Sequence, residues 1–165
     1  MIDLDHLEKY RENNRLEAKR AVCGLPQSLW ETYSAFANTQ GGVILLGVEE
    51  HRDRSLHPVD LPDPSGLLQD FWEIINDLDK VSANILKDRD VREVSLQGKH
   101  IIVIYVPRAP MEDLPVYLGG SPQNGTFWRS GEGDFRCRPE EVLAMARGLG
   151  EPVISVLPQD QKRER

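Results

Sequence analysis

Apolar positions recur along this chain with two periods, and the change from one to the other marks its elements. In residues 26–38, Leu29, Tyr33, Phe36 and Ala37 fall three or four apart, which predicts a helix with one apolar face. Pro26 suits a first helical turn, and Ser28 with Glu31 offers a capping box as an alternative start. Asn38, Gly41 and Gly42 tolerate left-handed backbone angles, so the helix ends there and the chain reverses. The unbroken apolar run from Val43 to Leu46 then predicts a strand, continuing to Val48 and covered on both faces. Between helix and strand, the polar Asn38-Thr39-Gln40 either closes the helix end by bonding to local backbone or contacts a ligand.

The rest of the chain is arranged around that corner. Leu4, Leu7 and Tyr10 predict a short amphipathic helix over residues 3–11, and residues 15–22 alternate loosely enough to predict a first strand. His51 to Ser65 contains Pro58, Pro62 and Pro64 and reads as a polar surface loop. Ser65 then opens a long helix with Leu67, Leu68, Phe71, Trp72, Ile75, Leu78, Val81 and Ile85 on one stripe, a pattern of core packing. Val91–Leu96, a Gln97-Gly98-Lys99 turn and His100–Val106 predict a hairpin. Short β segments are expected at residues 115–118, 126–129 and 135–136, separated by glycine-rich turns. Pro139, with Glu140 and Glu141 behind it, opens a last helix reaching about Arg147. The fold class expected is α/β (α+β): a mixed, mainly antiparallel sheet around Val43–Val48 and Ile101–Val106, with helices packed on it. Residues 1–150 form one domain in this reading, and 151–165 a polar tail or truncated linker.

Composition narrows the function without naming it. The 165 residues carry a formal net charge of −7, which argues against a simple basic nucleic-acid binder unless positive charge is gathered locally. There is no apolar run of membrane-span length and no basic-then-apolar leader, so a cytoplasmic protein with no membrane partner is expected. Cys23 and Cys137 share no metal spacing with each other or with His6, His51, His57 and His100, and read as free thiols. The chain has no Gly-x4-Gly-Lys-Ser/Thr phosphate loop, and Gly131-Glu132-Gly133 is a turn with no strand–helix unit around it.

Three segments together are more specific. Arg15-Leu16-Glu17-Ala18-Lys19, Ala35-Phe36-Ala37-Asn38-Thr39-Gln40-Gly41-Gly42 and Leu46-Gly47-Val48-Glu49-Glu50 occur in an order that resembles the Schlafen-type, AlbA-like domain. The likeness extends weakly to Phe127-Trp128-Arg129-Ser130-Gly131 and Pro139-Glu140-Glu141, covering most of residues 10–147. It implies a DNA-binding or nucleic-acid-binding domain of a bacterial transcriptional-regulator-like protein, with DNA or structured RNA as partner and a homodimer as a further option. In that reading Lys19, Asn38, Arg129 and Arg136 serve the nucleic acid. Lys19, Arg129 and Arg136 contact phosphates, while Asn38 shapes the corner.

The resemblance also carries an enzyme alternative. Schlafen relatives that cut RNA have an acidic triad, matched here by Glu12, Glu17 and Glu50. Clustered carboxylates of this kind hold Mg²⁺ or Mn²⁺, which activate water and neutralise phosphate charge. The third position is glutamate where aspartate is usual, and Asn13 stands where serine is common, so the chain departs from the nuclease pattern. Binding alone requires no cofactor. A protein-interaction or dimerisation domain is the third reading, favoured by the acidic composition.

Overall fold

The computed structural model describes residues 2–148. In chain order its elements are a 3-10 turn (Leu4–Lys9), β1 (Leu16–Lys19), α1 (Ser28–Asn38), β2 (Gly42–Leu46), β3 (Val48–Glu50), β4 (Leu56–Pro58) and α2 (Pro64–Ile75). There follow β5 (Val91–Leu96), β6 (Lys99–Val106), α3 (Pro122–Gly125), β7 (Phe127–Ser130), β8 (Gly133–Arg136) and α4 (Pro139–Ala146), with 3-10 turns before β5 and after β6. The main sheet runs β1-β2-β6-β5, and only its β1–β2 pair is parallel. Two antiparallel ribbons, β3–β4 and β7–β8, complete a mixed, mainly antiparallel α/β fold as expected. The polar tail expected over 151–165 lies outside the described residues.

The unbroken apolar runs have a simple cause: the sheet is covered on both faces. Ile44, Leu46, Ile102 and Ile104 face one core with Tyr33 and Phe36 of α1 and Phe71 and Ile75 of α2. Leu45, Ile101 and Val103 face a second core with Leu7, Leu16, Val48 and Leu56. Full burial of each such side chain stabilises the fold by roughly 1.5–3 kcal/mol. The hairpin of residues 91–106 and the glycine corner form where the pattern places them. Gly41 has φ +74°, and a Cβ there would lie 2.5 Å from the Val106 carbonyl oxygen; one on Gly42 would meet the Phe36 ring at 2.7 Å.

Five expectations are corrected. The strand expected to continue to Val48 is split at Gly47, whose φ of +85° ends β2 and starts β3. The Gly47 amide donates to the Lys19 carbonyl, and a Cβ there would sit 2.7 Å from Leu61. The loop after His51 contains β4, with Pro58 on an outer ribbon where a missing N–H costs little. The second helix is capped by Asp63, which accepts from the Gly66 amide, and not by Ser65. That helix also stops at Ile75, because Asn76 donates its side-chain amide back to the Trp72 carbonyl and Asp77 accepts from the Asp79 amide. Leu78 is consequently 72% exposed, outside the stripe expected to bury it. Finally, the first helical segment is a 3-10 turn and not a full amphipathic helix.

Candidate nucleic-acid interface

The sequence-marked residues fall into a buried set and an exposed set. Glu17 and Lys19 sit two apart on β1, and their side chains turn to the same side, where Lys19 Nζ lies 3.4 Å from Glu17 Oε2. Arg129, in the middle of β7, donates through Nη2 to Glu17 Oε1 at 2.9 Å and through Nη1 to Asp134 Oδ1 at 2.8 Å. Its remaining donors reach the Asn13 and Leu16 carbonyls, and its guanidinium lies 4.9 Å from the centroid of the Phe36 ring. Asp134 accepts a further bond of 2.6 Å from the Thr32 hydroxyl, and Lys19 donates to Ser28 Oγ at 3.0 Å. A continuous ionic chain, Ser28–Lys19–Glu17–Arg129–Asp134–Thr32, thus joins α1, β1 and the β7–β8 ribbon inside the protein.

This geometry revises two expected phosphate contacts. The Arg129 side chain is fully buried, and Lys19 is 7% exposed as a residue. Both are committed to carboxylates, so each positions structure where the sequence suggested direct contact. Asn38 is also internal: its amide nitrogen donates to the Val116 and Phe127 carbonyls, and its oxygen accepts from the Val116 amide. The Asn38 of the glycine corner therefore clamps the strand-like Val116 segment and the start of β7 onto the end of α1. Asp134, Thr32 and Ser34 were not singled out by the sequence. Asp134 could have been, since it mirrors Arg129 across the glycine turn that predicts the last ribbon.

The acidic triad does not come together as a metal site. Glu17 is 1% exposed and held by two cations, and Glu12 Oε2 accepts from the Ala18 amide. Glu50 is exposed at the end of β3. Among the described residues no group of three or more His, Cys, Asp or Glu side chains could hold a metal ion. A divalent cation at Glu12, Glu17 and Glu50 does not fit this arrangement, because Glu17 would have to exchange Arg129 and Lys19 for the ion. No step is derived through it.

What reaches solvent is the β3–β4 turn and its surroundings. The turn His51–Ser55 is closed by the His51 amide on the Ser55 carbonyl and carries His51, Arg52 and Arg54 outward. Arg20, just beyond β1, pairs with Glu49 at 3.2 Å, and Arg54 pairs with Glu132 of the β7–β8 turn at 2.6 Å. Arg52 makes no ion pair or hydrogen bond with any described residue. Below the turn, the His51 and His57 rings stack at 3.7 Å, and Ser55 Oγ bridges Asp53 Oδ1 and His57 Nε2. The Ser55 hydroxyl and amide, with smaller contributions from the nearby charges of Arg11 and His57, hold the Asp53 carboxyl below its ordinary value. Arg11, Arg20, Arg52 and Arg54 therefore surround one turn, interleaved with Glu49, Glu50 and Asp53. Arg136 lies elsewhere, at the open end of the β7–β8 ribbon, half-buried over the Phe127 ring.

Both cysteines are free thiols, Cys23 exposed and Cys137 buried. No helix among the described residues is long and apolar enough to cross a membrane. Among curated proteins there is no significant match. Of solved structures, the chain is similar to the N-terminal domain of a DNA helicase RecG-related protein from Nitrosomonas europaea, at 32% identity and TM-score 0.59, over 81% of this chain and 90% of that one. It also matches the DIP2311 protein from Corynebacterium diphtheriae at 18% identity and TM-score 0.48, over 81% of this chain and 23% of that one. The family model described as Schlafen, AlbA_2 matches residues 12–138, the span from Glu12 through the β7–β8 ribbon, and the chain belongs to that family.

Proposed function

We propose that this chain is a nucleic-acid-binding domain whose contact surface is the β3–β4 turn with Arg11, Arg20, Arg52 and Arg54. The observation that carries the reading is the gathering of four exposed arginines around one turn of an otherwise acidic chain, within a Schlafen AlbA_2 domain. The description of the Nitrosomonas neighbour as DNA-helicase-related supports the same direction. An arginine fork matches phosphate oxygens, and Arg52 has no competing carboxylate to displace. Arg20 and Arg54 must exchange Glu49 and Glu132 for phosphates, which makes binding weak and strongly salt-dependent. The turn's acids also limit non-specific attraction. The buried ionic chain holds the β7–β8 ribbon against β1, so the Arg54–Glu132 contact has a fixed base.

The test is fluorescence anisotropy of the full chain with duplex DNA and with a structured RNA at several salt concentrations. Binding should fall with salt, and Arg52→Ala should lower the slope of log K against log salt by about one on duplex DNA while leaving the fold unchanged. Magnesium should not be needed. Salt-independent binding, or none to either nucleic acid at low salt, would remove this reading and favour an interaction domain.

A further inference from the structure

A cavity of about 420 Å³ opens between α1, the end of α2 and the open end of the β7–β8 ribbon, away from the arginine-bearing turn. That volume falls within the range of roughly 300–1,000 Å³ typical of small-molecule sites. Trp30, Ile74, Leu118 and Phe127 supply an apolar wall, and Lys80 and Arg136 supply positive charge. Arg136 differs from the other arginines of the ribbon and its surroundings. Arg129, Arg54 and Arg138 each meet a carboxylate. The Arg136 side chain makes no ion pair or hydrogen bond with any described residue, and its Nε is buried without an acceptor. Among the described residues the guanidinium faces only the Phe127 ring, 5.9 Å from its centroid.

Leaving one guanidinium N–H buried without an acceptor is costly, and the rest of the half-buried fork, which meets no carboxylate of the described residues, lines the cavity where an acceptor from outside can reach it. The cavity's other groups narrow what that is. A guanidinium fork beside an ammonium suits an anion with several oxygens, phosphate above all. The aromatic wall suits a flat ring. Glu31 and Asp79 accept hydrogen bonds, and Gln27 and Asn124 both accept and donate, so they suit sugar hydroxyls and a ring edge bearing amino groups. We propose that this cavity binds a nucleotide unit, with the phosphate on Arg136 and Lys80 and the base against the apolar wall. The site is independent of the turn: Arg136 faces Phe127 at one end of the ribbon, whereas Glu132 meets Arg54 at the other.

A nucleotide unit can be a free mononucleotide or the 5′ end of a strand. Calorimetric and tryptophan-fluorescence titrations of the full chain with AMP, adenosine and inorganic phosphate test the first source. Short single strands with and without a 5′-phosphate test the second. AMP should bind saturably, with adenosine and phosphate alone each weaker by about tenfold or more, and Arg136→Gln should weaken AMP by about tenfold or more, as expected for a lost charged hydrogen-bond partner. Preference for the 5′-phosphorylated strand without AMP binding also supports the site and assigns it to strand ends. If Arg136→Gln does not fold, Lys80→Ala at the exposed rim must weaken the same ligands. Arg52→Ala should leave AMP binding unchanged, which separates this site from the turn. The proposal is overturned if neither AMP nor a 5′-phosphate is bound saturably, or if both variants bind as the parent does.

Discussion

Arg129→Ala is the substitution on which direct contact and internal stitching disagree most. The alanine leaves Glu17 and Asp134, with side chains 2% and 3% exposed, facing the space where their shared cation stood. Lys19 still lies 3.4 Å from Glu17, so the heavier loss falls on Asp134, which retains the Thr32 hydroxyl. Breaking a buried pair by removing one partner costs about 3–5 kcal/mol. Against the roughly 5–15 kcal/mol that holds a typical domain together, this is a large share. At about 2–4 °C per kcal/mol for a chain of this size, the melting temperature should fall by roughly 6–20 °C. Scanning calorimetry and urea unfolding read the change. Arg129→Lys keeps the charge but not the two-sided fork and should fall between parent and alanine. Pairing Arg129→Met with Asp134→Asn should recover part of the loss, because the orphaned charge is then absent. The reasoning is refuted if Arg129→Ala melts within about 2 °C of the parent, a change smaller than 1 kcal/mol. That result, combined with lost nucleic-acid binding, would make Arg129 a contact after all.

Three further outcomes are expected. Asn38→Leu strands the Val116 amide and the Phe127 carbonyl, while Ser34 still serves the Val116 carbonyl, at about 1–3 kcal/mol for each group left unpaired, and urea midpoints should show it at an unchanged slope. In the native protein Cys23 should react with a thiol reagent at pH 8 while Cys137 stays protected until unfolding, since burial and the nearby Glu141 push its thiol up to about 12. In carbon-detected NMR, Asp53 and Asp60 should titrate below 3.8, the first held down by the Ser55 hydroxyl and amide and the second by the His100 amide and ring. Both are depressed, so whatever they contribute to stability is present above pH 3.8 and lost as pH falls through their folded values. Ser55→Ala should return Asp53 toward 3.8, and an unmoved midpoint would discard the assigned cause.

Much of the frame was legible because local patterns agreed with it. The 91–106 hairpin announces itself through alternation around Gln97-Gly98, and the glycine corner through residues that alone fit beside Phe36 and Val106. The second helix misled for a physical reason: Leu78, Val81 and Ile85 keep the helical spacing, yet Asn76 and Asp77 offer the backbone better partners than another turn of helix. The site was legible in its members but not in their roles. A lone arginine in a sequence reads as surface charge, and only the fold shows that Arg129 meets carboxylates 112 and 5 residues away. The shared face of Glu17 and Lys19, by contrast, follows from strand alternation. The solvent-facing arginines of the β3–β4 turn were overlooked because proline hid that ribbon within an apparent loop.

The span between Glu17 and its guanidinium partner has a consequence for synthesis. At roughly 5–20 residues per second, a ribosome needs about 6–22 s to travel those 112 positions. Until then the nascent first strand carries a carboxylate whose strongest counter-charge does not yet exist. Its parallel docking on the second strand must either wait or proceed with water still in the seam. The chain's last ribbon is therefore the latch that dries its first strand.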